Sequence, residues 1–522
     1  GKSLPKLHIP AKVNGSAQFG IDVRRPGMLF AVVSQSPVFG GQLKSYDEAS
    51  AKSIKGVEAV VPIPNGVAVV ADSTWHAKQG LEALKPQFEG GQSAGLDSAK
   101  VSAKLRASLD EMGKAEISTE KVLDVEYEMP YLHHATMEPM NCTAHVTADS
   151  CEVWAPTQSQ EDAMKAAVEV TGFSEDQIQI HTTLLGGGFG RRGLPDYVTQ
   201  AVTVSKALQK PVQVVWSREE DTQHGFYRPA SMSRYQVGLG EDGMPVQWES
   251  QIAQPNIFAQ FLPPLGWFDF DPLAVAGGVH DYGLFPDHFY KIEGVETDHT
   301  GVELGVPIGP WRAPPTSLNV FYTESVMDEL AHLVGQDPLE YRLRLITESP
   351  RHKAVLEQVA NQAGWGTPLP DGHSRGIAIN DWFGPIMGAI TVVAEVAEVS
   401  VSKRGKLKVE RVDCVVDCGL AVNPDSVKAQ MEGSIIMGMS AALFEQITLE
   451  DGRVVQSNFD DYRIARMRDT PEINVSIVQN DAAPTGTGEP GTSPIVPAIT
   501  NAIFAATGVR LRRLPIGRQK LV

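Results

Sequence analysis

Glycine and proline are spread along this whole chain, and their distribution limits how long any helix or strand can be. The 522 residues include 48 glycines and 35 prolines. A glycine weakens the interior of a helix or strand, and a proline lacks the N–H group that both structures need. Because the two residues do not cluster in one low-complexity stretch, the sequence predicts short elements joined by many turns.

The chain is too long for one ordinary domain, since a domain has about 150 residues. Residues 1–98 combine strand-like runs with one helix and end in a glycine-rich linker. Residues 120–350 contain a strand, a glycine-rich loop, a helix and a second strand in succession. Residues 370–522 mix strands with a long helix that begins at Asn423-Pro424. We therefore expect an α+β (mixed α/β) fold in three regions with these boundaries.

The net charge argues against nucleic acid as a partner. Lysine and arginine total 45 against 63 aspartates and glutamates, which gives a net charge of −18. Nucleic-acid binding needs a basic face that neutralises phosphates. The sequence also has no run of about 18 apolar residues, so it predicts no membrane-spanning helix.

The cysteines are few and widely spaced. They are Cys142, Cys151, Cys414 and Cys418. No Cys-x-x-Cys pair occurs, and this spacing does not match a zinc or iron–sulfur site. We expect four buried free thiols. If the chain carries out redox chemistry, its electrons must then leave through another subunit.

One carboxylate stands alone in a loop of small residues. Glu489 is the only acid in the segment 485–494, which otherwise consists of glycine, proline, serine and threonine. A helix is predicted after it, with Pro497 near the first turn and Gly508 just past the end. A lone carboxylate in such a loop could be a general base facing a cofactor or substrate. An acid in a solvated turn is the other interpretation that local chemistry allows.

A glycine-rich loop contains Gly188-x-Gly190-x-x-Gly193, which matches a dinucleotide-binding pattern. In a true fingerprint the helix already runs through the last glycines. Here Pro195 disfavours helical geometry at Leu194, so the helix should start after the motif. An NAD-dependent dehydrogenase is therefore the weaker alternative. The loop could let a ligand approach the backbone closely, or it could be an ordinary turn between a strand and a helix.

Two histidines and a glutamate suggest a metal site, which we consider the less favoured interpretation. His134 and Glu138 stand four residues apart, and His133 precedes them. Pro139 follows directly, and no His-Glu-x-x-His motif occurs. We expect these residues to lie in a packed loop.

Two polar side chains are further candidates. Arg312 follows Trp311 in a proline-rich stretch, where it could bind an anion or a polar cofactor. An arginine stacked on the tryptophan at the surface is the alternative. Gln158 follows Thr157 after a strand-like run, and its amide could donate to an oxygen.

Taken together, an ordered set of motifs resembles one family. The motifs are Lys12-Val-Asn-Gly15 with Asp22, Pro26-Gly-Met-Leu-Phe30, Glu138-Pro139, Thr157-Gln158, Gly186-Gly-Gly-Phe-Gly190, Trp311-Arg312, Asp328-Glu-Leu-Ala331, Asp337-Pro-Leu-Glu340, Asp417-Cys-Gly419, Asn423-Pro424, Gly488-Glu-Pro490 and Pro497-Ala498. This set resembles the molybdopterin-binding large subunits of the xanthine dehydrogenase/aldehyde oxidase family. The isoquinoline 1-oxidoreductase β-subunit branch is the most similar, and the resemblance covers essentially the whole chain.

The resemblance implies a fold, a catalytic residue and a set of cofactor contacts. The fold would be an α/β hammerhead-like domain followed by molybdopterin-binding domains. Glu489 would be the base that deprotonates a molybdenum-bound hydroxide, and no protein side chain would bind the metal. The residues implied to contact the cofactor are Gln158, Gly187, Gly188, Phe189, Gly190, Arg312 and Gly488.

The resemblance also implies cofactors and partners. The cofactor would be molybdopterin cytosine dinucleotide, with oxo and sulfido ligands on the molybdenum. The substrate would be an aldehyde or an N-heterocycle. Electrons would pass to a small [2Fe-2S] subunit, with a cytochrome c as a further acceptor. The branch favours the bacterial periplasm, and the cytoplasm stays open.

One motif of the family is missing from these residues. The family has a second cofactor loop of the type Met-Gly-Gln-Gly, which does not occur here. We therefore expect this chain to be the C-terminal part of a split, processed or truncated large subunit, whose N-terminal portion is a separate chain or a missing segment. A non-catalytic scaffold half that keeps the fold is the alternative from a different functional class.

Overall fold

The protein combines short strands and helices, which are described here from a computed structural model. The described residues are 1–257, 272–275, 278–279, 288–382 and 390–522. The Phe- and Pro-rich stretch 256–290, which we expect to form part of the pocket wall, lies mostly outside them. No described strand exceeds 11 residues, as the spread of glycine and proline predicts.

Strands and helices are interspersed along the chain, with several runs of two or three of one kind. The strands are β1 (Leu29–Gln35), β2 (Gln42–Ser45), β3 (Val57–Ile63), β4 (Gly66–Ala71), β5 (Gln87–Glu89), β6 (Lys121–Met129), β7 (Asn141–Val146), β8 (Cys151–Ala155), β9 (Ile178–Thr182), β10 (Pro211–Val215), β11 (Ser231–Leu239), β12 (Pro245–Gln254), β13 (Val295–Gly301), β14 (His373–Trp382), β15 (Thr391–Val401), β16 (Leu407–Asp417), β17 (Leu449–Glu450), β18 (Arg453–Val454) and β19 (Glu472–Ile477). The helices are α1 (Ile9–Val13), α2 (Glu48–Lys52), α3 (Thr74–Leu84), α4 (Ser98–Met112), α5 (Gln160–Thr171), α6 (Asp196–Leu208), α7 (Arg218–Gln223), α8 (Pro272–Val275), α9 (Thr316–Leu333), α10 (Pro338–Leu345), α11 (Pro350–Ala363), α12 (Pro424–Leu443) and α13 (Ile495–Thr507).

The largest described sheet has seven strands in the order β3-β4-β1-β10-β7-β8-β9. Strand β1 pairs in parallel with β10, so that Phe30 lies opposite Gln213. Helices α5 and α6 pack on this sheet through small and branched side chains such as Ala163 and Val198. One sheet therefore joins strands from both sides of the boundary predicted at residues 98–120. The division into domains stays a prediction.

A second sheet packs against the loop that contains Glu489. Its order is β14-β15-β16-β19, and helix α13 packs against it. The packing is so close that a Cβ atom at Gly376 would lie 2.2 Å from the backbone nitrogen of Ala502. The first turns of α13 are fully buried. This contact anchors the segment that leads into α13, which includes Glu489.

Helix α9 lies between this core and a third sheet, ordered β13-β12-β11-β6. It begins at Thr316, about three turns before Val326, where an apolar stripe begins that continues through Leu330 and Leu333. Almost all of its side chains are buried, so its sequence lacks the one-sided pattern that marks a surface helix. Its buried Glu324 is paired with the Arg342 guanidinium, at 2.9 Å between Oε2 and Nε.

Local sequence signals account for several helix ends. The Ser159 side chain caps α5, which ends at Gly172 with a left-handed φ of 75°. Asp337 caps α10 by accepting from two backbone N–H groups. All four cysteines are buried free thiols. Over the described part of the chain, no helix is both long and apolar enough to cross a membrane. Helix α4, by contrast, was not expected from the sequence.

Candidate active site

A cleft of about 500 Å³ brings together residues from five separate segments of the chain. The described residues that line it are Gln158, Leu185, Gly187, Gly188, Phe189, Gly190, Pro310, Arg312, Pro314, Gln430, Gly488 and Glu489. Every residue that the sequence analysis singled out for the site is among them. Their proximity is a property of the fold, whereas their individual roles stay predictions.

Glu489 presents one carboxylate oxygen to this cleft. Its Oε1 accepts a hydrogen bond from the backbone N–H of Ala313 at 3.0 Å. Within the described residues, Oε2 accepts no hydrogen bond. Burial raises the pKa of Glu489, while the Ala313 N–H and the charge of Arg312 act in the opposite direction. The result is a partly buried carboxylate with one oxygen tied down and the other available to accept a proton.

Gln158 lies just beyond strand β8, with its amide held in one orientation. Its Oε1 accepts from the backbone N–H groups of Gly190, at 3.1 Å, and Arg192, at 3.3 Å. Because both partners are donors, they identify which end of the amide is the oxygen. The Nε2 group makes no hydrogen bond to the described residues. It is the end left to donate to an acceptor in the cleft.

The glycine-rich loop contributes Gly187, Gly188 and Gly190 to the cleft wall, together with Phe189. Gly190 has a left-handed φ of 108°, and a Cβ atom there would lie 1.7 Å from the carbonyl oxygen of Pro310. A Cβ atom at Gly188 would lie 2.4 Å from Oε1 of Gln158. These two positions therefore have no room for a side chain. The bare backbone lets a large group come close to the loop.

The loop does not have the geometry of a dinucleotide fingerprint. Leu194 is extended, with φ −97° and ψ 128°, and helix α6 begins only at Asp196. This confirms the prediction from Pro195 that the helix starts after the motif. Gly193 has free space around it, so close packing does not require a glycine there. The third glycine of a fingerprint is needed for close packing of helix and strand.

Two buried arginines hold the loop from behind. Arg192 donates to the carbonyl oxygens of Gly187 and Glu138, both at 2.7 Å. Arg191 makes two parallel hydrogen bonds to the Asp196 carboxylate, at 2.8 and 2.7 Å. Such two-point contacts restrict rotation as well as distance. These hydrogen bonds tie the loop to Glu138 and to the start of helix α6.

The residues weighed as metal ligands are engaged in other contacts. The Glu138 carboxylate accepts from the backbone N–H groups of Ile21, at 3.0 Å, and Gly186, at 2.7 Å. His134 is buried, and its Nε2 lies 2.9 Å from the Pro310 carbonyl oxygen. Burial lowers the pKa of His134 to about 3. These side chains shape the wall behind the cleft.

Arg312 faces the cleft and does not stack on its neighbour. The cation over the Trp311 ring is Arg228, 5.6 Å from the ring centroid. The Arg312 guanidinium donates instead through Nε to the Gly488 carbonyl oxygen at 2.8 Å. Its NH2 group donates to Oε1 of Gln430 at 3.1 Å. The alternative of an arginine stacked on Trp311 is therefore wrong for Arg312.

Gln430 is a cleft residue that the sequence analysis missed. It lies on α12, whose start at Asn423-Pro424 was predicted correctly. A glutamine two turns into a long helix carries no local signal of function. Only the start of the helix, combined with its direction relative to the cleft, could have identified this position.

The cleft residues fit a bulky cofactor that presents acceptor atoms. A free amide NH2 group, the backbone of three loop glycines and a free carboxylate oxygen all line one cavity. Over the described ranges, no group of histidine, cysteine, aspartate or glutamate side chains could hold a metal ion.

Comparison of the sequence with known proteins identifies a cofactor-binding family. Residues 100–346 and residues 324–471 each match a family model described as a molybdopterin cofactor-binding domain. The chain is 32% identical, over 99% of its length, to isoquinoline 1-oxidoreductase subunit beta of Brevundimonas diminuta, and spans 68% of that protein. It is 30% identical, over 98% of its length, to a membrane-bound aldehyde dehydrogenase (pyrroloquinoline-quinone) of Gluconacetobacter polyoxogenes, and spans 71% of that protein.

The fold is also that of a solved oxidoreductase. The crystal structure of quinoline 2-oxidoreductase from Pseudomonas putida 86 superposes with a TM-score of 0.80 at 14% sequence identity. The match covers 99% of this chain and 97% of that one, which confirms the mixed α/β fold. The chain belongs to the xanthine dehydrogenase/aldehyde oxidase family of molybdopterin-binding large subunits, in its isoquinoline 1-oxidoreductase β-subunit branch.

Proposed function

We propose that this chain is the catalytic part of a molybdenum hydroxylase that oxidises an aldehyde or an N-heteroaromatic carbon with oxygen from water. The observation that supports the proposal most strongly is the convergence in one cleft of Glu489, the free amide of Gln158 and the bare backbone of the glycine loop. The names of the two relatives include both substrate classes.

Each cleft residue then has a separate task. Gly188 and Gly190 let the loop pack directly against Gln158 and Pro310, and their backbone forms part of the wall that would receive the cofactor. Gln158 donates from Nε2 to an acceptor oxygen of the cofactor, and Gly488 offers backbone without a side chain at the same wall. A bound molybdenum–pterin cofactor would supply the acceptor for the two electrons of the oxidation.

Glu489 moves the proton. Oxidation of an aldehyde to an acid by water releases two protons and two electrons, and Glu489 Oε2 accepts one proton from the attacking oxygen. Burial raises the pKa of Glu489 and makes it a stronger base, while the Ala313 N–H and Arg312 favour its ionised form. The balance of these effects leaves the pKa of Glu489 above its ordinary value, which suits a general base.

The finer identity of cofactor and partners belongs to the same proposal. The cofactor would be molybdopterin cytosine dinucleotide with oxo and sulfido ligands. Electrons would pass to a small [2Fe-2S] subunit and then to a cytochrome c, in the bacterial periplasm. The four cysteines are all buried single thiols, so an iron–sulfur cluster would have to lie in a partner. The relative from Brevundimonas diminuta is itself named as one subunit of an enzyme.

The decisive variant is Glu489→Gln, assayed in the purified complex. It removes the base without a change of shape, so molybdenum content should stay stoichiometric while turnover falls by at least about 10²-fold. Glu357→Gln, at an exposed position on α11, is the matched control and should keep both. A panel of aldehydes and N-heteroaromatic compounds with an artificial electron acceptor identifies the substrate class. Near-normal turnover of Glu489→Gln, or a complex without molybdenum, would contradict the proposal.

A further inference from the structure

Arg312 connects three walls of the cleft. Its backbone N–H donates to the carbonyl oxygen of Phe189 in the glycine loop at 2.9 Å. Its side chain donates to the carbonyl oxygen of Gly488 at 2.8 Å, and to the carbonyl oxygen and Oε1 of Gln430 at 3.3 and 3.1 Å. One residue therefore links the glycine loop, helix α12 and the loop that carries the catalytic carboxylate.

Ala313, the next residue, links Arg312 to Glu489 through a backbone hydrogen bond. Ala313 is fully buried and has a left-handed φ of 68°, which is unfavourable for a residue with a side chain. Such a conformation persists only where the surroundings determine it completely. In this conformation the Ala313 N–H points at Oε1 of Glu489, 3.0 Å away. The contacts of Arg312 immediately before it, together with the hydrogen bonds that the Ala313 carbonyl oxygen accepts from Thr316 and Ser317, hold it in place.

Arg312 also acts on Glu489 through its charge. The guanidinium donates to the carbonyl oxygen of Gly488, directly beside Glu489 in sequence, and lowers the pKa of the carboxyl group against the effect of burial. In the described part of the cleft wall, Arg312 is the charged group that faces Glu489. The other polar neighbours, Gln158 and Gln430, are neutral amides.

We propose that Arg312 is a positioning residue, which clamps the loop of Glu489 to helix α12 and fixes where its carboxylate lies in the cleft. This inference rests on the base role proposed above for Glu489. It differs from the cofactor contact that the family resemblance implies for Arg312. The NH1 group makes no hydrogen bond to the described residues, so a cofactor contact could exist beside the clamp.

The clamp has two separable parts, a positive charge and a planar fork with several donors. Lysine keeps the charge but cannot bridge two acceptors in the same way. Glutamine has neither the charge nor the reach. Arg312→Lys and Arg312→Gln therefore separate the effect on ionisation from the effect on geometry.

The test measures kcat/KM against pH for the wild type and both variants in the complete complex, together with molybdenum content. Difference infrared spectroscopy, with Glu489→Gln as the reference, follows the carboxylate band of Glu489 directly. Arg404→Gln, an exposed arginine in a turn, is the control and should match the wild type in every measurement.

In Arg312→Gln, the acidic limb of the profile and the midpoint of the carboxylate band should both move to higher pH by roughly one pH unit. Molybdenum content should stay unchanged. In Arg312→Lys the limb should return toward the wild-type position, while the plateau of kcat stays roughly tenfold or more below it, because the loop is no longer clamped. If Arg312→Gln does not fold, the lowered plateau of Arg312→Lys at full molybdenum content remains the test.

Three results would each overturn the clamp. The first is an acidic limb and a carboxylate band that do not move in Arg312→Gln, and the second is a full wild-type plateau of kcat in Arg312→Lys. The third is loss of molybdenum in proportion to activity with the acidic limb unchanged, which would make Arg312 a cofactor ligand only. If Glu489→Gln is itself active, the proposed function fails. The infrared band in the Arg312 variants would still report whether the clamp exists.

Discussion

At the scale of single residues, two glycines of one loop differ in whether a neighbouring contact requires a glycine. At Gly190 the backbone has φ 108°, and a Cβ atom would lie 1.7 Å from the Pro310 carbonyl oxygen. At Gly193 a Cβ atom would meet nothing within 4 Å. Both satisfy the same sequence pattern, yet only the first is required by a contact. The pattern alone does not distinguish them.

This difference predicts unequal effects of alanine at the two positions. Gly190→Ala should destabilise the protein by about 1–3 kcal/mol, because the loop must move away from Pro310. Gly193→Ala should stay within about 0.5 kcal/mol of the wild type. Urea unfolding of the two variants measures both free energies. Equal effects would show that the loop does not depend on this contact.

At the scale of elements, strand β15 places a carboxyl group in the core beneath the catalytic loop. Glu395 is fully buried opposite Cys414 of β16. A Cβ atom at Gly491 would lie 3.3 Å from its Oε1. Burial raises the pKa of Glu395 well above its ordinary value. We therefore expect the folded protein to hold the proton of Glu395 at pH values where the unfolded chain loses it.

The buried acid makes stability depend on pH in a specific direction. Below the ordinary pKa of 4.5, both folded and unfolded states hold the proton of Glu395. Above it only the folded state does, so the free energy of unfolding falls by about 1.4 kcal/mol per pH unit until the raised pKa is reached. Glu395→Gln should lose this contribution.

Urea unfolding at several pH values between 5 and 7 measures the effect. The curves of the wild type and Glu395→Gln should diverge as the pH rises, with the variant becoming the more stable protein. Glu357→Gln should run parallel to the wild type. A constant difference between Glu395→Gln and the wild type across this range would show that Glu395 is not held protonated.

At the scale of the whole molecule, one tyrosine joins parts of the chain that are far apart in sequence. The buried Tyr462 hydroxyl accepts from the backbone N–H of His133 at 2.9 Å and donates to Oε2 of Glu445 at 2.9 Å. Burial raises the pKa of Glu445 to about 7. Tyr131, in the same cluster, has a buried hydroxyl without a partner in the described structure.

The pair of tyrosines allows a matched comparison. Tyr462→Phe should destabilise the protein, because each buried polar group that loses its partner costs about 1–3 kcal/mol. Tyr131→Phe removes an unpaired hydroxyl from the same cluster and should be neutral or stabilising. Thermal unfolding of both variants provides the measurement. Similar losses for the two would mean that the Tyr462 hydroxyl does not join these segments.

Local structure was predictable where one short stretch contains the whole cause. The start of α10 follows from Asp337-Pro338, because the aspartate side chain satisfies the first free N–H groups of the helix. The end of α5 follows from Gly172, which takes the left-handed conformation that closes a helix. The parallel pairing of β1 with β10 was not predictable, since its register depends on residues about 180 positions apart.

The sequence by itself determined the short elements, the candidate base Glu489, the order of the motifs and the family. These depend on residue types and spacings within local stretches. Three contacts were decided only by the tertiary structure. Gln430 lines the cleft, the Arg228 guanidinium lies over the Trp311 ring, and Arg312 donates to the Gly488 carbonyl oxygen. These contacts depend on directions in space between segments that pack against different sheets. A linear pattern contains no information about such directions until the long-range pairings are formed.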